Sequence, residues 1–398
     1  MKLKIKTNFD ILYRKKSFKQ NEIFNNFLKN LDKDKNFYRS FYYNFNKNYI
    51  KNVNFNKLKK FKRYKNIIII GLGGSSLGTM AIHSLFEEKI KKNVIFLNSL
   101  DLNKIKEINS TKGKNSLFLI ISKSGETLEV LTNINYLNNI NFNKSNTIII
   151  TEKKNNSLYK FSKRKNIELV EHNKFIGGRY SVLTEVGMVP CFLMGLNIKS
   201  FRNFFSKKLP NSFTSTLRKS VNWNSEIYKS KIISSLIFLT YSSKLHNLVL
   251  WCQQLISESL GKKNLGILPV LSPAPKDHHS LLQLYLDGPR DKIFYIISLK
   301  EENKKLSKNI FNEKYPFLKK KTFNQIKNAQ KEALIKTLRL KKIPYKELFM
   351  SDKTEKGVTE FLVFFMLETI ITAKLLGINP FNQPAVEQVK ILTKNILT

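Results

Sequence analysis

The sequence predicts an α/β protein of two sandwich domains with mainly parallel sheets, flanked by helical segments at both termini. Three observations carry this expectation. The chain has 398 residues, more than one domain usually holds. Short apolar runs alternate with longer helical patterns, the signature of parallel strands joined by right-handed crossovers. The runs also break off into Gly, Ser and Thr, which read as loops that open the next helix.

Taken in order, residues 1–60 are rich in Lys, Asn and Phe and read as an N-terminal helical segment, with "NEIFNNFLKNL" (21–31) its clearest helix, packed as a cap on the first domain. Residues 61–200 form that first domain. Its strands are "NIIII" (66–70), "NVIFL" (93–97), "SLFLIIS" (116–122), "NTIIIT" (146–151) and "NIELV" (166–170), with helices at 76–90 and 127–139. Residues 201–353 form the second domain. Within it, 234–263 reads as a helix, a short connection near 243–249 and a further helix. Strands follow at 264–272 and 292–300, around a helix at 278–288. Residues 354–398 are a C-terminal helical segment. It opens with a long apolar helix over 354–378, stopped by Gly377 and Pro380, and ends in a helix from Pro384.

Composition excludes several classes. No run of 18 apolar residues exists, so no transmembrane helix is expected. The first twenty residues lack an apolar signal core. Two cysteines, Cys191 and Cys252, build no disulfide framework and fit a reducing cytoplasm. The formal charge is +41, from 70 Lys and Arg against 29 Asp and Glu. A field of that size attracts polyanions. Yet the lysines run through the whole chain, mixed with Asn, Ile and Phe, and no nucleic-acid-binding motif accompanies them. Compositional drift with general steering of anionic substrates is the expectation, without a specific nucleic-acid partner.

The loop after the first strand, "GLGGSSLG" (71–78), lets backbone amides approach an anion through Gly71, Gly73 and Gly74 and adds the hydroxyls of Ser75 and Ser76 at a helix start. It is neither of two common phosphate loops. A dinucleotide fingerprint needs Gly where Ser76 stands, and a Walker loop needs Lys where Thr79 stands. Standing alone, such a loop also has tight strand–helix packing as an alternative explanation, and a small-phosphate site is the reading that remains. The second loop, "ISKSGETLEV" (121–130), again follows a buried strand and opens a helix, with Ser122, Ser124 and Thr127 as hydroxyls near Lys123. Two such loops at strand C-terminal ends point to one crevice holding a small phosphate.

These segments resemble the sugar isomerase (SIS) domain and, more closely, the phosphoglucose isomerase family. "GLGGSSLG" and "SKSGETLE" resemble its two phosphate-loop motifs, "GGRYSVLTEVG" (177–187) its arginine segment and "QQLISESLGK" (253–262) its catalytic glutamate segment. "HSLLQL" (279–284) resembles its histidine segment, and "INPFNQPAVEQVK" (378–390) its C-terminal lysine signature. Six motifs in the family's order span residues 65–392. Departures are His278 in place of the usual Gln, Asn382 and Ala385 in place of Asp and Gly, and Gly125-Glu126 in the second loop.

The resemblance implies two SIS-type, flavodoxin-like α/β/α sandwiches and interconversion of glucose 6-phosphate and fructose 6-phosphate, with no metal and no cofactor. The chemistry moves a proton between C1 and C2 through an enediolate, which calls for a carboxylate base shielded from water. Glu258 takes that role by resemblance, Arg179 holds the developing negative charge, and His279 with Lys390 opens the sugar ring. Gly74, Ser75, Ser122, Lys123, Ser124 and Thr127 are expected at the 6-phosphate, Lys123 through its backbone amide, and Gln383 near the substrate. The resemblance also implies a homodimer in which His279 comes from the partner subunit. "KDHHS" (276–280) suggests a metal site in isolation, but adjacent histidines point about 100° apart on a helix and seldom share an ion. A related isomerase for mannose 6-phosphate or an amino-sugar phosphate, and a non-catalytic sugar-phosphate sensor, are the alternatives.

Overall fold

In the computed structural model the described residues are 3–8, 18–29, 53–112, 115–202, 209–301, 311, 313–319 and 321–398. The elements used below are β1 (Leu3–Thr7), α1 (Phe18–Lys29), β2 (Asn66–Ile70), α2 (Leu77–Phe86), β3 (Asn93–Leu97), β4 (Ser116–Ile121), α3 (Leu128–Tyr136), β5 (Thr147–Thr151), β6 (Glu168–Glu171) and α4 (Glu185–Leu193). They continue with α5 (Asn211–Ser230), β7 (Ser235–Thr240), α6 (His246–Leu260), β8 (Leu268–Pro273), β9 (Lys292–Leu299), α7 (Phe323–Leu340), β10 (Tyr345–Met350), α8 (Glu355–Leu375) and α9 (Glu387–Leu397).

The first sheet runs β3-β2-β4-β5-β6, all parallel. Its central strands are apolar on both faces because both faces are covered, as parallel crossovers require. Ile67 and Ile69 face one core with Leu117, Leu119 and Ile121, while Ile68 and Ile70 face another with Phe118, Ile120 and Ile149. All four isoleucines are fully buried, each stabilising the sheet by roughly 2–3 kcal/mol of transfer free energy.

The second sheet runs β1-β10-β9-β7-β8 and is parallel except for β1, which pairs antiparallel with β10. Its outer face packs on α7 through Ile237, Leu239, Phe294, Ile296, Leu334 and Leu338. Its inner face shares the large central core with the first sheet, and the apolar helix α8 runs through that core. The fold is therefore two α/β/α sandwiches joined by a common middle layer, the class that the sequence predicts. Among the described residues no helix is long and apolar enough to cross a membrane.

Two expectations need correction. Residues 235–240 are the interior strand β7, between β9 and β8, where the sequence pattern predicts a helix. Its middle, Leu236–Leu239, is an unbroken apolar run because both faces are covered, and a short run of that kind has neither period to read. The N-terminal segment also differs from a helical cap on the first domain. It contributes β1 to the second sheet, and α1 packs on α5 and α8. Residues 30–52, including the end of the expected 21–31 helix, lie outside the described residues.

Candidate active site

The site is positioned by two crossovers. In the first sheet the chain leaves β2 for β3 on one side and returns to β4 on the other, so the loops after β2 and β4 flank a topological switch point. Gly71 lies so close to the end of β4 that an added Cβ would sit 3.0 Å from the Ile121 carbonyl oxygen. The helices that follow the first parallel strand of each sheet, α2 and α6, pack on each other in the middle layer. That packing carries the first loop up to α6.

The first loop is closed by backbone proximity. A Cβ on Gly74 would stand 2.1 Å from the Gly178 carbonyl carbon, so only glycine lets this loop meet the Gly177-Gly178-Arg179 turn. Gly73, at φ +53°, faces the Gln254 side chain of α6. Ser75 is half-buried beside them, and Ser76 is fully buried. The second loop holds itself through its hydroxyls. Ser122 Oγ lies 2.7 Å from Thr127 Oγ1 and accepts from the Gly125 amide at 3.2 Å, while Ser124 Oγ accepts from the Glu126 amide at 3.1 Å. The Glu126 carboxylate accepts from Ser157 N at 2.6 Å and Ser157 Oγ at 2.8 Å, so its charge is committed to the next helix start. The Lys123 ammonium is engaged with neighbouring protein groups. It donates to the Lys174 carbonyl at 2.7 Å and lies 3.8 Å from Glu152, and burial pulls its pKa down.

Arg179 is the hub. Its guanidinium is buried, with Nε donating to Ser259 Oγ at 2.9 Å and Nη1 to Glu258 Oε2 at 2.9 Å and Gln383 Oε1 at 2.6 Å. Nη2 donates to the carbonyls of Pro380 at 2.6 Å and Asn382 at 3.0 Å. Every face of the guanidinium fork is thereby fixed. The departure from the family pattern at Asn382 is harmless to this contact, because the backbone carbonyl makes it. Glu258 is the more open partner, 29% exposed against 2% for Arg179. Its second oxygen, Oε1, accepts from Gln254 Nε2 at 3.0 Å.

Gln254 is the site residue that sequence reasoning missed. It sits four residues before Glu258, one turn back on the same face of α6, and touches both the carboxylate and the first loop. That spacing was the available signal. Its Oε1 is buried without a hydrogen-bond partner, an acceptor free for a hydroxyl.

His279 and Lys390 stand apart from this cluster within one chain. His279 is exposed at the end of the turn Lys276–His279 that follows the edge strand β8. The neighbouring residues of "KDHHS" are engaged elsewhere: His278 Nε2 lies 2.9 Å from Tyr241 Oη, and Asp277 accepts from Ser272 at 2.8 Å. Lys390 lies on α9, 62% exposed, where it pairs with Glu387 at 2.7 Å. Among the described residues no three His, Cys, Asp or Glu side chains converge to hold a metal ion.

Comparison with known proteins places the chain in a family. The phosphoglucose isomerase family matches residues 42–398. A glucose-6-phosphate isomerase of Methanocaldococcus jannaschii is 30% identical over 85% of this chain and 85% of its own. A Thermus thermophilus protein described as hypothetical superposes with a TM-score of 0.85 at 22% identity, over 99% of this chain and 100% of the other. A glucose-6-phosphate isomerase of Chlamydia trachomatis superposes at 0.71 and 18% identity, over 87% of this chain and 72% of that one. The chain belongs to the phosphoglucose isomerase family.

Proposed function

We propose that the protein interconverts D-glucose 6-phosphate and D-fructose 6-phosphate, with Glu258 as the base. The observation that carries this reading is the Arg179–Glu258 pair, seated beside the first phosphate loop and backed by Gln254 and Gln383. The 6-phosphate is held at the switch point by the loop amides around Gly74 and Ser75 and by Ser122, Ser124, Thr127 and the Lys123 amide. Anchoring that non-reacting end presents C1 and C2 to Glu258.

In the open-chain aldose, Glu258 removes the C2 proton, and the electron pair moves to give a cis-enediolate across C1 and C2. Arg179 stabilises the oxyanion through its fixed positive charge. Glu258 returns the proton to C1, the C2 oxygen becomes the carbonyl, and the C2 hydroxyl proton ends on the C1 oxygen. Ring opening is assigned to His279 and Lys390. Because both are exposed within one chain, a homodimer in which the partner's copy of the 276–279 turn completes the site is part of the proposal. The two buried cysteine thiols suit a cytoplasmic enzyme.

A coupled assay on EDTA-treated protein tests the reading by following glucose 6-phosphate formed from fructose 6-phosphate. Turnover that Glu258→Gln abolishes supports it. A folded wild-type protein with no turnover of this pair refutes it, and a panel with mannose 6-phosphate and amino-sugar phosphates then separates a related isomerase from a sensor.

A further inference from the structure

The segment 377–383 is a strap whose carbonyls accept from a row of cations. Besides the two carbonyls on Arg179, the Asn379 carbonyl accepts from Lys262 Nζ at 2.6 Å and the Gly377 carbonyl from Lys263 Nζ at 3.3 Å. Both lysines follow the C-terminus of α6, and Glu258 lies on that helix four residues before Lys262. The backbone there is shaped to present them. Lys262 and Leu265 exchange both backbone hydrogen bonds at 2.9 Å around Lys263 and Asn264, which sit at φ +54° and +57°. Two successive non-glycine residues in the left-handed region make a tight primed turn, a strained conformation that persists only where surrounding contacts fix it. Gly261 permits this exit, since a Cβ there would meet the Ser257 carbonyl oxygen at 2.7 Å.

We propose that Lys262 is a positioning residue: its ammonium clamps the 377–383 strap to the end of α6, and through the strap it sets the Arg179 guanidinium and Gln383 beside Glu258. The strap has further anchors: the Ile378 amide donates to the Ala373 carbonyl of α8 at 2.9 Å, the Tyr180 hydroxyl to the Pro380 carbonyl at 3.4 Å, and the Phe381 ring packs 5.4 Å from the Tyr180 ring. The Asn379 carbonyl between them is held by Lys262. Burial and the nearby Arg179 charge lower the Lys262 pKa to about 8, opposed by Glu258. Arg179 on the 178–180 turn and Glu258 on α6 are the charged groups that act on it, and the strap faces it with a backbone carbonyl. Loss of the ammonium on the alkaline side weakens a charge-assisted hydrogen bond to a neutral one.

This inference rests on the isomerase reading, and its test separates the two. Lys262→Met is expected to lower kcat about tenfold with KM changed less than about twofold, because the strap orients a group that acts on the transition state. Lys262→Arg restores most of kcat and moves the alkaline limb of the kcat profile, expected near pH 8 in the wild type, up by more than about a pH unit. A Lys262→Met variant with wild-type kcat, or one whose kcat, KM and melting temperature all decline together, overturns the proposal. If Lys262→Met does not fold, the Lys262→Arg profile decides, and an unmoved limb overturns it. Thermolysin cleavage within 377–386 needs no substrate. Clamp loss predicts cutting in Lys262→Met about tenfold faster than in the wild type, whereas equal rates refute the clamp even if no isomerase activity is found.

Discussion

The crossover loops of the first sheet and the junction of α6 with the C-terminal strap work by opposite means. The loops depend on side chains that are absent or short, so that backbone meets backbone at Gly74 and Gly178 and short hydroxyls bond within the second loop. The junction depends on long charged side chains fixed by many partners, with Arg179 making five hydrogen bonds. A phosphate that does not react needs donors that stay put, and backbone supplies them. A proton in transit and a developing oxyanion need groups whose charge can be used, and only side chains supply those. Substitutions in the two regions are therefore expected to separate in their kinetics.

The sharpest separation is Glu258→Gln, expected to lower kcat by about 10³-fold or more while KM stays within a few-fold, since an isostere keeps the contacts but cannot take the proton. Steady-state kinetics and a thermal melt check this together. Arg179→Lys follows, with a loss in kcat of about 10²–10³-fold from the missing fork geometry. In the loops the expected signature reverses. Ser122→Ala should raise KM about tenfold and leave kcat within about threefold, the size of one hydrogen bond to a charged group. A kcat effect larger than its KM effect would erase the contrast. Gly74→Ala is expected to cost stability, about 2–3 kcal/mol by calorimetry, because its Cβ collides with backbone rather than a movable side chain.

An effect of similar size, confined to acid pH, involves His172 near the second loop. His172 is buried, and desolvation with the neighbouring Lys123 charge lowers its pKa to about 4. The unfolded chain takes up a proton near pH 6.5 that the folded chain refuses until about pH 4, so stability is complete above pH 6.5 and falls through that window. Denaturant titrations should show a loss on the order of 3 kcal/mol between those limits, flattened in His172→Gln.

How far the sequence carried the reading also differs between the regions. The strands β2 to β5 were legible because each is an unbroken apolar run with turn residues behind it. In the second sheet only β8 and β9 were legible, inside the runs 264–272 and 292–300. β7 offered no period, and β1, "LKIKT", alternates apolar residues with lysines as an edge strand does. β10, "YKELFM", hides two charges in a buried strand. Lys346 there is fully buried because Glu368 of α8 pairs with it at 2.6 Å and Tyr295 Oη accepts at 2.8 Å, a compensation that no local pattern reveals. At the site, Arg179, Glu258 and Gln383 stood out only through the order of six motifs. Their convergence spans more than about 200 positions of chain and depends on the packing of α2 on α6. Lys390 was legible as part of a signature, yet α9 holds it in a pair with Glu387, because the helix leaves the body of the single chain.

The central claim is that Glu258, held by Arg179 and Gln254, moves a proton through an enediolate. The measurement that tests it most directly is proton NMR of fructose 6-phosphate incubated in D2O with wild-type protein and with Glu258→Gln. The account predicts that the wild type incorporates deuterium at C1 of the ketose and C2 of the aldose as they interconvert, and that the variant leaves both positions protonated. Interconversion without any deuterium uptake, or exchange by the variant at the wild-type rate, would contradict it.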